Sequence, residues 1–176
     1  MNGVFNPEKI KLIVGLGNPG SDYKDTYHNA GFMAIDYLSG NAPDSDWRRS
    51  KKISYLKTNG FIFIKPEEFM NGSGNAVKEA LKYFKSKRSE LLLVHDDSDL
   101  ESGKWKLGFG RGAAGHRGVE SAIASLNSPD FWRARIGVRN RKGKAGDFVL
   151  KKISSADQKS LTAVFRELKN VLKVSD

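Results

Sequence analysis

The chain contains no cysteine. Disulfides, thiolate metal sites and cysteine nucleophiles are therefore excluded, and the composition suits a reducing cytoplasm. No apolar run approaches the roughly 20 residues that cross a bilayer. The opening MNGVFNPEKI lacks the apolar core of a secretion signal. The expected location is thus cytoplasmic, without membrane attachment. Histidine is scarce, at His28, His95 and His116 alone. No serine sits in a nucleophile-elbow setting. No His-Glu-x-x-His spacing or similar metal motif occurs, so no metal is expected. Repeats, low-complexity tracts and linkers are absent as well, and 176 residues suit one domain with a substantial core.

Positive charge is plentiful. The net charge is +10, and residues 101–152 hold 12 Lys/Arg against 4 Asp/Glu, a net of +8. A second basic cluster, Arg48-Arg49-Ser50-Lys51-Lys52, precedes a strand. A charge run is commonly a solvated face. Concentration in under a third of the chain favours a polyanion partner instead.

Hydrophobic periodicity outlines an α/β chain. Residues 11–17 read as a buried strand, and a helix over 29–39 aligns Phe32, Ile35 and Leu38. A loop is expected over 40–50. Residues 53–58 and 61–65 flank Asn59-Gly60, a strong hairpin signal. A helix over 73–86 places Val77, Ala80, Leu81 and Phe84 on one stripe. Strands follow at 90–95, more weakly at 104–109, and at 131–138. Between the last two, a glycine-rich loop (108–118) leads into a helix ending near Leu126. A basic loop (139–146) and a short extended piece (148–150) are expected next. A final helix runs from Ser155 to about Val174, with capping-box spacing at Ser155 and Gln158 and an apolar face from Leu161 to Leu172 that includes Val171. The predicted fold is one domain with a mixed, mainly parallel twisted sheet and helices on both faces.

Three polar residues fall just after strands or in the loops that follow them: Asn18, His28 and Asp96. In such folds those ends converge on one crevice. A carboxylate that accepts from one imidazole nitrogen leaves the other free as a base toward water. An amide such as that of Asn18 can hold a substrate carbonyl or position the water. The leading chemistry is therefore a His28–Asp96 pair acting on water. Structural histidines are commoner than catalytic ones, and the two strand-end placements are what favour His28.

Other motifs admit blander readings. Gly15-Leu16-Gly17-Asn18-Pro19-Gly20 matches the dinucleotide fingerprint, but the polar, acidic 21–26 offers no helix to receive a pyrophosphate. A tight turn is preferred. His95, Asp96 and Asp97, with Asp99, could suggest a metal, yet His95 should point away from Asp96 on an extended strand. Asn71 or Ser73 could cap the following helix, or Asn71 could face the crevice and bind substrate backbone. The 108–118 loop is either a flexible connector or an anion site assisted by Arg111 and Arg117.

Taken together, residues 11–23, 27–31, 65–74, 91–104, 115–118 and 131–138 resemble bacterial-type peptidyl-tRNA hydrolases, with the motifs in the family's order across nearly the whole chain. The resemblance implies a monomeric hydrolase without a cofactor that cleaves the ester between a peptide and the 3′ ribose of tRNA. It places the base on His28, its support on Asp96, and peptide or water contacts on Asn18 and Asn71, beside Met70. It closes the first loop with Tyr23. It assigns substrate contact to the His116–Arg117 segment and tRNA phosphate contact to Lys104, Lys106, Arg111 and Arg133. Departures occur at Tyr27, where the family usually has Arg, at Arg117 in place of a substrate-contacting Asn, and at Gly108 in place of a basic residue. The loop after the last central strand is also more basic. These departures motivate an alternative, a catalytically weakened homologue that binds RNA. Retention of Asn18, His28, Asn71 and Asp96 favours the enzyme.

Overall fold

The computed structural model describes residues 4–139, 146 and 148–175. Its sheet contains β1 (Leu12–Gly15), β2 (Arg48–Ser50), β3 (Ile53–Thr58), β4 (Phe61–Pro66), β5 (Leu91–Glu101), β6 (Trp105–Phe109) and β7 (Trp132–Arg139). The helices are α1 (Ala30–Leu38), α2 (Ser73–Tyr83), α3 (Arg117–Leu126) and α4 (Ser155–Leu172). The strand order is β2-β3-β4-β1-β5-β7-β6. The central strands β4, β1, β5 and β7 are parallel, whereas β2, β3 and β6 join antiparallel at the edges. This is the mixed, mainly parallel α/β sheet that the sequence pattern predicts.

Alternation along the strands builds two cores. Ile13, Leu92, Val94, Ala134 and Ile136 face one side and pack with α1 and α4 through Ile35, Leu161, Phe165 and Leu168. Leu12, Val14, Leu91 and Leu93 face the other side and pack with α2 and α3 through Val77, Ala80, Val119 and Ala122. Each fully buried Leu or Ile contributes roughly 1.5–3 kcal/mol.

From β1 the chain passes through α1 to β4 on one side, then through α2 to β5 on the other. The connections diverge between β1 and β5, which opens a crevice beyond their carboxyl ends. Helix α1 starts almost on top of that seam. A side chain at Gly31 would overlap Leu16 O and stand 2.5 Å from Val94 O, and one at Gly15 would stand 2.5 Å from Ile35 Cγ1. Lack of a Cβ at both positions permits this approach and brings the residues just before α1 over β5.

Several expectations need correction. The predicted 40–50 loop ends in β2, because Arg48–Ser50 find partners on β3. Strand β5 does not stop at His95. It continues to Glu101 with β7 as its partner, shifting register between Asp97 and Glu101, so Asp96 lies within the strand opposite Ile136. The α4 cap is Ser154, whose extended backbone lets Oγ accept from Asp157 N at 3.2 Å, rather than Ser155 with Gln158. Val171 is partly outside the apolar face. Helix α2 has no side-chain cap, so neither Asn71 nor Ser73 serves as one. Residues 148–150 form a turn rather than an extended piece. The predicted 139–146 loop lies outside the described residues apart from Arg139, which ends β7, and Gly146.

Candidate active site

After β1 the chain forms a short 3-10 turn at Ser21–Tyr23 and not a helix. The glycine fingerprint therefore has no helix N-terminus behind it, and the tight-turn reading stands. Within that turn Asn18 is 7 % exposed. Its Oδ1 accepts from Met70 N at 2.8 Å. With the oxygen committed, Nδ2 is the donor left to the crevice. Asn29 clamps the backbone of Asn18: its Oδ1 accepts from Asn18 N at 2.8 Å and its Nδ2 donates to Asn18 O at 2.9 Å. Sequence reasoning missed Asn29. The available signal was a polar residue at the head of a helix that lacks a side-chain cap.

His28 occupies a second 3-10 turn, Tyr27–Asn29, immediately before α1. Its backbone N–H donates to Val149 O at 2.8 Å, Tyr27 N donates to Lys151 O at 3.3 Å, and Thr26 pairs antiparallel with Lys152. The segment 149–152 thus braces the histidine from far along the chain, a pairing that local sequence pattern does not signal. His28 Nδ1 meets Asp96 Oδ1 at 2.8 Å. His116 Nε2 reaches the same oxygen at 2.8 Å. His116 caps α3, with Nδ1 accepting from Val119 N at 3.3 Å. That bond assigns the His116 proton to Nε2, so it donates to Asp96. An ionised Asp96 likewise accepts a hydrogen bond from a proton on His28 Nδ1 and leaves Nε2 with its lone pair.

Electrostatics agree with this assignment. Burial alone would raise the Asp96 pKa, but the adjacent His116 and His28 outweigh it and hold the carboxyl far below its ordinary range. For His28, burial disfavours the charged form. The charge and hydrogen bond of Asp96 overcome that, against a smaller opposing effect of Arg117, and raise the imidazole above its ordinary value. His95 is fully enclosed, and burial together with neighbouring His116 keeps it neutral. Its Nδ1 bonds the backbone oxygen of Asp96 at 2.7 Å, and its ring meets His116 edge-on at 4.7 Å. His95 therefore lies behind the site, turned from the Asp96 carboxylate.

The ligand atoms of His28, Asp96 and His116 lie within 4.8 Å of one another and could hold a cation. Hydrogen bonds onto Asp96 already engage both ring atoms. Of the grouping His95, Asp96, Asp97 and Asp99, Asp96 alone belongs to this cluster. Asp97 pairs with Arg135 at 2.5 Å, and Asp99 is exposed.

Around this centre, Met70 is buried, and a side chain at Gly118 would collide with its Sδ. Asn71 is exposed at the rim, where Tyr23 and Phe69 meet edge to face at 5.9 Å. Arg117 is exposed at the first position of α3. Lys104, Lys106 and Arg111 are exposed on or beside β6. Arg133 departs from its expected role. It is 2 % exposed, and Nη1 donates to Gly112 O at 2.9 Å. Burial and that bond turn it into a tether for the glycine-rich loop and withdraw it from direct phosphate contact. Tyr27 is buried away from the crevice. Its ring meets Phe148 edge to face, and its hydroxyl donates to Asp157 Oδ2 at 2.7 Å.

Comparison with known proteins identifies the family. The family model described as peptidyl-tRNA hydrolase matches residues 12–175. The chain is 38% identical over 168 residues to the peptidyl-tRNA hydrolase of Lactobacillus gasseri, covering 93% of this chain and 91% of that one. It is 42% identical over 159 residues to that of Geobacter metallireducens, covering 88% and 82%. Among solved structures, the peptidyl-tRNA hydrolase of Acinetobacter baumannii superposes with a TM-score of 0.82 at 29% identity, covering 94% of this chain and 88% of that one. A family match spanning nearly the whole sheet and its helices, with relatives of similar length, establishes that the chain belongs to the peptidyl-tRNA hydrolase family, hydrolases that act on an ester bond.

Proposed function

We propose that this chain hydrolyses the ester joining a peptide or N-blocked amino acid to the 3′ ribose of tRNA, with water activated at His28 Nε2. The 2.8 Å bond from His28 Nδ1 to Asp96 carries this reading. It orients the ring and stabilises the imidazolium that forms. Nε2 takes a proton from water, and the resulting hydroxide adds to the ester carbonyl carbon. Collapse of the tetrahedral intermediate breaks the bond to the ribose oxygen, which receives the proton back from Nε2. The free Nδ2 of Asn18 donates to the carbonyl or to the peptide backbone. Asn71 takes the peptide backbone at the rim, with Tyr23 beside it and Met70 below. His116 acts as the second donor to Asp96, a supporting part in place of the direct substrate contact expected from the sequence.

Arg117 is positioned for a phosphate at the tRNA terminus, and Lys104, Lys106 and Arg111 for acceptor-stem phosphates. Their exposure supports these contacts. The intact His28–Asp96 pair gives the RNA-binding alternative no specific support. The test is peptide release from N-blocked aminoacyl-tRNA by wild type and His28→Ala, without added metal. Release by wild type alone is expected. Equal release by both overturns the assignment of the base, and release by neither, with tRNA still bound, overturns the enzyme reading.

A further inference from the structure

Tyr27 carries no chemistry in the reaction above, yet its side chain is buried and specifically bonded. The partner, Asp157, is a carboxylate 8 % exposed in the first turn of α4. Three hydroxyls converge on it. Tyr27 Oη and Ser154 Oγ each donate to Oδ2 at 2.7 Å, and Ser102 Oγ donates to Oδ1 at 2.8 Å. Ser154 is the α4 cap, and Ser102 follows the end of β5. The helix terminus favours the negative charge, and the hydroxyls replace the water it has lost. Three segments distant in sequence are thereby joined at one buried group.

Tyr27 adjoins His28 on the same 3-10 turn. We infer that Tyr27 is a positioning residue for the base: its hydroxyl, bonded to Asp157 at the head of α4, fixes the turn that aims His28 at Asp96. The backbone bonds from 26–28 to 149–152 limit the height of this turn. The hydroxyl sets its rotation, because it anchors the far end of one side chain at the head of α4 while the neighbouring imidazole reaches Asp96 on β5. A displacement of a fraction of an ångström would lengthen the 2.8 Å bond from His28 to Asp96. Rates are sensitive to such misplacement. The charged and titratable groups facing His28 are Asp96 on β5, His116 at the cap of α3 and Arg117 in its first turn, while the 149–151 segment presents backbone carbonyls. Loosening the Asp96 contact removes the influence that raises the imidazole and leaves burial and Arg117, which lower it. The His28 titration then moves to lower pH.

This inference rests on the base assignment proposed above, so its test has one readout independent of turnover. Tyr27→Phe removes only the hydroxyl, and Asp157→Asn removes the charge at the other end. Leu168→Val, in the α4 core away from the turn, is the control for general loosening of the helix. In Tyr27→Phe, kcat on N-blocked aminoacyl-tRNA is expected to fall about tenfold, with KM within about twofold. The His28 imidazole titration, followed by nitrogen-15 NMR and assigned with His28→Gln, is expected to shift to lower pH. Asp157→Asn should move both readouts in the same direction, which covers the case in which Tyr27→Phe does not fold. Leu168→Val should move neither. Unchanged titration and kcat in both site variants would overturn the inference, as would an equal shift in Leu168→Val. A titration shifted in Tyr27→Phe, with no hydrolysis by the wild type itself, would support the positioning role while refuting the catalytic reading.

Discussion

His28 and His116 donate to the same oxygen of Asp96, each across 2.8 Å. Their rings lie 5.0 Å apart, and His116 is fixed by its own bond at the head of α3. The carboxylate is therefore shared between the proposed base and a second ring that supports it. One ring can gain and lose a proton while the other keeps the acceptor in place.

Removal of the base should be far more damaging than neutralisation of its support. His28→Ala is expected to lower turnover by about 10²–10⁴-fold, the usual contribution of a positioned general base, with tRNA affinity nearly unchanged. Asp96→Asn should cost less. Single-turnover peptide release and filter binding on the same preparations check both, and full rate in either variant would reject the pair.

The pH dependence follows from the directions of the two shifts. His28 is raised, so the acid limb of kcat/KM should fall above the ordinary histidine value of about 6.5 and move down in Asp96→Asn. For stability, charged His28 contributes fully below its unfolded value and loses that contribution as pH rises through the raised folded one. Asp96 behaves oppositely, contributing above about pH 4 and losing its effect as pH falls toward its depressed folded value. Thermal melts should show the wild-type advantage over Asp96→Asn shrinking below about pH 4.

Gly31→Ala should be harmful although it adds one methyl to a helix. The new Cβ meets two backbone oxygens, which cannot swing aside as a side chain can. A cost of about 1–3 kcal/mol is expected from overpacking, together with reduced turnover as α1 lifts from the β1–β5 seam. Denaturant unfolding measures the first and peptide release the second. Wild-type stability would contradict the close-packing account.

Salt dependence should separate exposed from buried cations. Loss of Lys104, Lys106 or Arg111 is expected to reduce the slope of log affinity against log salt by about 0.9 for each phosphate contact removed from duplex RNA, taking the double-helix value. Arg133→Ala should leave that slope unchanged and act through stability, since its guanidinium is held within the protein by Gly112 O. A reduced slope for Arg133→Ala would restore it to the tRNA surface.

Most of the architecture was legible because its signals are local. Asn59-Gly60 marked the β3–β4 hairpin, and the apolar spacing marked α4. The meeting of His28 and Asp96 was also readable, since parallel strands gather their following loops at one end. The remainder depends on distance in sequence or on small differences in exposure. Nothing near Arg133 tells it apart from Arg135, yet one is enclosed and the other half-buried. His116 gave no sign of bonding Asp96, because that needs α3 to dock against Met70. Continuation of β5 beyond His95 was hidden by its acidic residues, which β7 and Arg135 accommodate.

The bracing of residues 26–28 by 149–152 and Asp157 also dictates when a newly made molecule becomes competent. The residues that hold His28 follow it in the chain by 120 or more positions. A nascent chain would carry every group named in the chemistry and still lack the means to align them. On the proposed mechanism, a chain cut before residue 149 would yield an inert product and not a weak enzyme.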